Sequence, residues 1–77
     1  RRATAAEHVA ELTPRQQQIM DLVLAGHPSK NIAADLAISQ RTVENHRAAI
    51  MTKMQTKSLP ALARLALAAR EAAASKI

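Results

Sequence analysis

KNIAADLAISQRTVENHRAAIMTKM, residues 30–54, contains two helical periods separated by a short break. Ile32, Ala33 and Leu36 share one face of a helix over about residues 30–36. Ala37 and Ile38 interrupt the pattern as a turn, with Ile38 expected to plug a core. Ser39 can then cap a longer helix over about 40–54. In that helix Val43, Arg47, Ile50 and Met54 fall on one stripe, at about 100° per residue. Arg41, Asn45, Ala48 and Thr52 lie roughly opposite, with Thr42 and Glu44 on the flanks. Two short amphipathic helices joined by a tight turn read most simply as a helix-turn-helix. The second helix of such a motif suits the DNA major groove.

Working outward, Thr13-Pro14-Arg15-Gln16 is a helix start. Thr13 caps, Pro14 fits the first helical position, and Gln16 completes a T-x-x-Q capping box. Ile19, Leu22 and Val23 form the inner face of this helix, about 14–25, with Met20 and Leu24 beside it. Gly26 is the expected left-handed stop, Pro28 blocks continuation, and Ser29 is expected to cap the next helix. Residues 1–11 have weak periodicity and are expected to be a linker remnant of a longer protein, with a helical turn around residues 5–10. Residues 12–77 are expected to form the domain. On the C-terminal side, Gln55-Thr56-Lys57 is a link. Ser58 caps a fourth helix, with Pro60 tolerated in its first turn. Leu59, Leu62, Leu65, Ala66 and Ala69 offer one apolar surface, and Ala63, Leu67 and Ala68 another. One small core cannot use both.

The chain has 77 residues, no Cys and no aromatic residue. The core of this one all-α domain is therefore built from Leu, Ile, Val, Met and Ala. Lack of Cys excludes disulfides and thiolate metal sites, and suits a reducing, cytoplasmic setting. No apolar run approaches the roughly 18 residues of a membrane span. Eleven Lys and Arg against six Asp and Glu give a formal net charge of +5. A small basic domain points to a polyanion, and the missing aromatics argue against single-strand binding, which stacks bases on rings.

Several separated motifs then agree in order and spacing. They are LTPRQQQIM (12–20), Gly26, K-x-I-A at Lys30, Ile32 and Ala33, L-x-I-S at Leu36 to Ser39, RTVENH (41–46), Ile50, Lys53-Met54 and Lys57-Ser58. With these the chain resembles the LuxR/FixJ-type helix-turn-helix domain, the output domain of many bacterial response regulators, over about residues 12–70. The resemblance implies a four-helix fold, double-stranded DNA binding through the third helix, and dimerisation through the last. It also implies Glu where this chain has Gln16, and S-N-K-E where it has Pro28-Ser29-Lys30-Asn31.

Asn45 can bond bidentately to adenine N6 and N7, or be an ordinary solvated residue. The resemblance puts its position among those facing bases. Glu44 can accept from a cytosine amino group or repel a wrong site. It can equally pair within the helix with Arg41 or Arg47. Ala48 can touch a thymine methyl or simply permit close approach. Lys30, Arg41, Thr42, Lys53 and Lys57 are candidate contacts to the DNA backbone. Arg47 joins them, its stem packing on the apolar stripe while its guanidinium snorkels toward solvent, an acid or a phosphate. Leu67 is the candidate dimer residue. His46 has no metal-ligand spacing with His8 or His27.

Neither a nucleophile–base–orienter set nor a Gly-rich phosphate loop occurs, so neither an enzyme nor a cofactor is expected. DNA, a weak homodimer and RNA polymerase are the candidate partners. Two rival classes remain. One is a protein-interaction bundle gripping a partner through the fourth helix. The other is a peripheral membrane helix over residues 58–77, whose polar face offers only Arg64, Arg70 and Lys76.

Overall fold

A computed structural model describes residues 3–74. Among them five helices follow one another: α1 (Ala5–Ala10), α2 (Pro14–Leu24), α3 (Ser29–Leu36), α4 (Gln40–Lys53) and α5 (Leu59–Ala74). The four helices expected from sequence are α2 to α5, and the helical turn expected around residues 5–10 is the short helix α1, which makes five helices rather than four. Lys76 and the two ends of the expected segments lie outside the described residues.

Each helix start has a local cause. The capping box at α2 forms in both directions. Gln16 N–H donates to Thr13 Oγ1, and Thr13 N–H donates to Gln16 Oε1, each at 3.1 Å. Ser39 Oγ accepts from Thr42 N–H at 3.0 Å, and Ser58 Oγ accepts from Ala61 N–H at 3.2 Å. The expectation that Ser29 caps α3 is corrected. The cap is Pro28, with no side-chain bond, and Ser29 is the first helical residue and buried. Pro28 holds an extended backbone (φ −67°, ψ 154°), and its carbonyl already accepts from the Asn31 and Ile32 N–H groups. The chain therefore enters the helix one residue earlier, and Ser29 turns inward.

Three helix ends close in the same way. At α2, His27 N–H reaches Leu22 O and Gly26 N–H reaches Val23 O, both at 3.0 Å, with Gly26 at φ 96°. This is the paired bonding of a Schellman motif. Ile38 N–H repeats it to Ala33 O, and Thr56 N–H to Met51 O. There the left-handed residues are Ala37 (φ 55°) and Gln55 (φ 54°). Non-glycine residues in that region cost roughly 1–2 kcal/mol each. The turn of the helix-turn-helix is thus held by its carbonyl bonds and by Ile38, which packs on the core.

Ile19, Ile32, Val43, Ile50, Met54 and Leu62 are the largest fully buried side chains among the described residues, and they come from α2 to α5 and, for Met54, from the cap that closes α4. They bring α2, α3 and α4 together as a three-helix unit. Helix α1 lies along α5. Its cap is Thr4, whose Oγ1 accepts from Glu7 N–H at 3.2 Å. Six residues cannot hold a helix alone, so α1 owes its form to docking. His8 is buried there and Val9 packs on the core. Small side chains on α5, including Ala66 and Ala69, allow the two backbones to approach closely. One apolar side of α5, with Leu62, Leu65, Ala66 and Ala69, thus serves both the core and α1, while Ala63, Leu67 and Ala68 on the other side are exposed. Leu67 is reached by neither and remains 57% exposed.

Candidate nucleic-acid interface

Helix α4 divides as its stripe foretold. Val43, Ile50 and Met54 are buried, while Arg41, Glu44, Asn45, Ala48 and Thr52 are exposed. The three candidate base-reading residues, Glu44, Asn45 and Ala48, occupy one outward surface over a single turn. None carries a bulky apolar group that would hold the helix away from a groove. The intrahelical pairs open to Glu44 do not form. Among the described residues, neither Arg41, Glu44 nor Arg47 enters an ion pair, and Asp21–Arg70 on α2 and α5 does, at 3.3 Å. Glu44 therefore presents a carboxylate outside any ion pair on the exposed surface of α4, which also carries Arg41.

The candidate backbone contacts fall into three kinds. Lys30, Arg41 and Lys57 are exposed. A shallow groove lined by Ala48, Met51, Thr52, Gln55, Thr56 and Lys57 runs beside α4 toward the link. Thr42 and Arg47 are half-buried. Thr42 Oγ1 lies 2.8 Å from Ser39 Oγ. Ser39 can donate in that bond, which leaves the Thr42 hydroxyl proton free to point outward. Arg47 lines an apolar cleft with Met20, Val23, Ile50, Met51 and Leu62. Its stem is covered there, as the stripe implied.

Lys53 is the third kind. Its ammonium donates to Gln16 Oε1 at 2.8 Å and to the Glu11 carbonyl at 3.2 Å. It is turned into the protein at the junction of α1 and α2. The sequence hid this. Gln16 reads as a capping residue, and Lys53 as one more basic residue at a helix C-terminus. The partners are 37 residues apart in the chain. One signal existed: the family resemblance implies an acid at position 16, and an acid there invites a cation.

The remaining groups assemble no other chemistry. No set of three His, Asp or Glu side chains among the described residues could hold a metal ion. No described helix is long and apolar enough to cross a membrane.

The family described as "Bacterial regulatory proteins, luxR family" matches residues 10–66. The transcriptional regulatory protein FixJ of Rhizobium meliloti is 58% identical over 57 residues, which is 74% of this chain and 28% of that protein. The oxygen regulatory protein NreC of Staphylococcus haemolyticus is 43% identical over 56 residues, 73% of this chain and 26% of that protein. The crystal structure of full-length FixJ from B. japonicum superposes with a TM-score of 0.77 at 48% identity, covering 87% of this chain and 33% of that one. The chain thus spans about a third or less of the length of these relatives. The helix-turn-helix of α3 and α4, the capped α2 before it and these matches agree, and the chain belongs to the luxR family of bacterial regulatory proteins as a helix-turn-helix DNA-binding domain.

Proposed function

We propose that this domain is the output end of a transcriptional regulator of the two-component type, acting in the cytoplasm. It reads double-stranded DNA by laying α4 in the major groove. The observation that carries this is the outward surface of α4. Glu44, Asn45 and Ala48 are exposed and outside any ion pair, on the turns that follow the exposed Arg41, on a helix anchored from beneath by Val43, Ile50 and Met54. Asn45 bonds bidentately to an adenine. Glu44 accepts from a cytosine amino group and repels phosphate in a misplaced register. Ala48 lies against a thymine methyl. Lys30, Arg41, Thr42, Arg47 and Lys57 hold the backbone on either side. The relatives' names, a transcriptional regulatory protein and an oxygen regulatory protein, support a regulator, and this chain matches under a third of each, which supports a separate part for signal reception.

Leu67 supports a second element of the same function, a weak two-fold dimer through α5 formed when two half-sites align two protomers. RNA polymerase is a further partner of the intact regulator. The test is selection of duplexes from a random library by the purified domain, followed by titration against salt. A recurrent site bound with a steep salt dependence supports the reading. Absence of an enriched site, or binding indifferent to salt, overturns it.

A further inference from the structure

We infer that Lys53 is a positioning residue for base reading, one that sets the tilt of α4 from inside the protein. It is the last residue of α4, and its ammonium joins two other segments. Gln16 Oε1 in the first turn of α2 lies at 2.8 Å, and the Glu11 carbonyl just beyond α1 at 3.2 Å. Gln16 is only 7% exposed, and the same Oε1 also accepts from Thr13 N–H. The acceptor is therefore fixed before Lys53 reaches it. At the other end of α4, Ser39 and Thr42 lock the first turn to the preceding loop.

Between these ends α4 rests on Val43, Ile50 and Met54. Apolar burial resists separation but is non-directional. A charge-assisted hydrogen bond to a fixed acceptor has direction, and it decides how the helix rolls and tilts on its bed. Glu44, Asn45 and Ala48 reach bases only if that tilt is held, because hydrogen-bond readout tolerates roughly 0.5 Å of displacement. Lys53 has three donors and two are spent inward. Through Glu11 the tie includes the segment that carries α1, so the helix docked on α5 and the helix that reads DNA share one fastening.

This inference rests on the reading of α4 as the base-reading helix, and wild-type discrimination between a selected duplex and a scrambled duplex tests that reading by itself. The 77-residue chain is compared with Lys53→Met, Lys53→Arg and Gln16→Met on both duplexes, below the melting temperature of each variant. Lys53→Met should lower the selected-to-scrambled affinity ratio about five- to tenfold, with the slope of log K against log salt unchanged. Lys53→Arg, which keeps a cation within reach, should restore the ratio. Gln16→Met leaves the lysine in place and should lower the ratio alone, which carries the test if Lys53→Met fails to fold. Equal weakening on both duplexes with a slope flatter by about one unit would mark Lys53 as a phosphate contact and overturn the inference. An unchanged ratio in Gln16→Met or in a folded Lys53→Met overturns it too.

Discussion

Lys53 Nζ stands 2.8 Å from Gln16 Oε1, an oxygen that at the same time accepts the Thr13 N–H. One buried amide thus closes the capping box of α2 and receives the end of α4. A carboxylate in its place would keep both bonds and add charge to each. Gln16→Glu should therefore stabilise the domain by about 1 kcal/mol, since charge-assisted bonds are stronger and an acid suits a helix N-terminus. For a chain of this size that is a rise of roughly 4–8 °C in Tm. The gain requires the ionised form, so it should fade on acidification through the carboxylate range. Thermal unfolding at neutral and acid pH checks both parts, and a neutral or destabilising effect at neutral pH counts against this account of the site.

The left-handed helix ends make a matched pair of substitutions. Ala37 carries a Cβ at φ 55°, whereas Gly26 sits at φ 96° with open space where a Cβ would go. Ala37→Gly should stabilise by about 1 kcal/mol and Gly26→Ala should destabilise by about as much, both through backbone strain alone. Urea titration measures the two midpoints. Shifts in the same direction would show that side-chain contacts, not backbone geometry, dominate there.

Asn45→Ala should cost roughly 1–3 kcal/mol on the preferred duplex and relax preference at one base position in each half-site. Affinity for scrambled DNA should stay nearly constant, because an exposed side chain at this position holds nothing within the protein. Competition binding with every single-base variant of the site is the measurement. Equal loss on all duplexes would move Asn45 to the backbone set.

Lys30→Ala and Lys57→Ala should each flatten the salt dependence by about one unit, from a starting slope of about −4 to −5 for five or so phosphate contacts. Both ammonium groups are exposed, so the fold should be unaffected. Lys30 is also a cation in the first turn of α3, where it opposes the helix dipole. Removing it should therefore leave stability unchanged or slightly improved, and a clear loss of stability would show that Lys30 has a structural task.

Leu67→Glu should abolish cooperative occupancy of a double site and leave half-site affinity intact. The side chain is 57% exposed on the described chain, and no element covers it. Footprinting on single and double sites separates the outcomes, and surviving cooperativity would place any dimer contact elsewhere.

What the sequence determined by itself was local in origin. The spacing of Val43, Ile50 and Met54, the Thr13–Gln16 box, Gly26 and Ser39 each act within a few residues, so helix starts, stops and faces could be read from the linear order. The outward residues of α4 followed from the same periodicity. Residues 5–10 carried only a faint signal, because six residues offer too little period, and their helix exists through docking on α5. Ser29 reads as a cap in the linear sequence, but the Pro28 backbone, not the side-chain preference of serine, sets where α3 begins. Tertiary structure alone decided the fate of the charges. A lysine is equally at home in water, on a phosphate or on a buried amide. Only the approach of α4 to the start of α2 brought Gln16 within reach of Lys53 while Lys30 and Lys57 stayed in solvent, because such contacts depend on packing between distant segments rather than on neighbours in the chain.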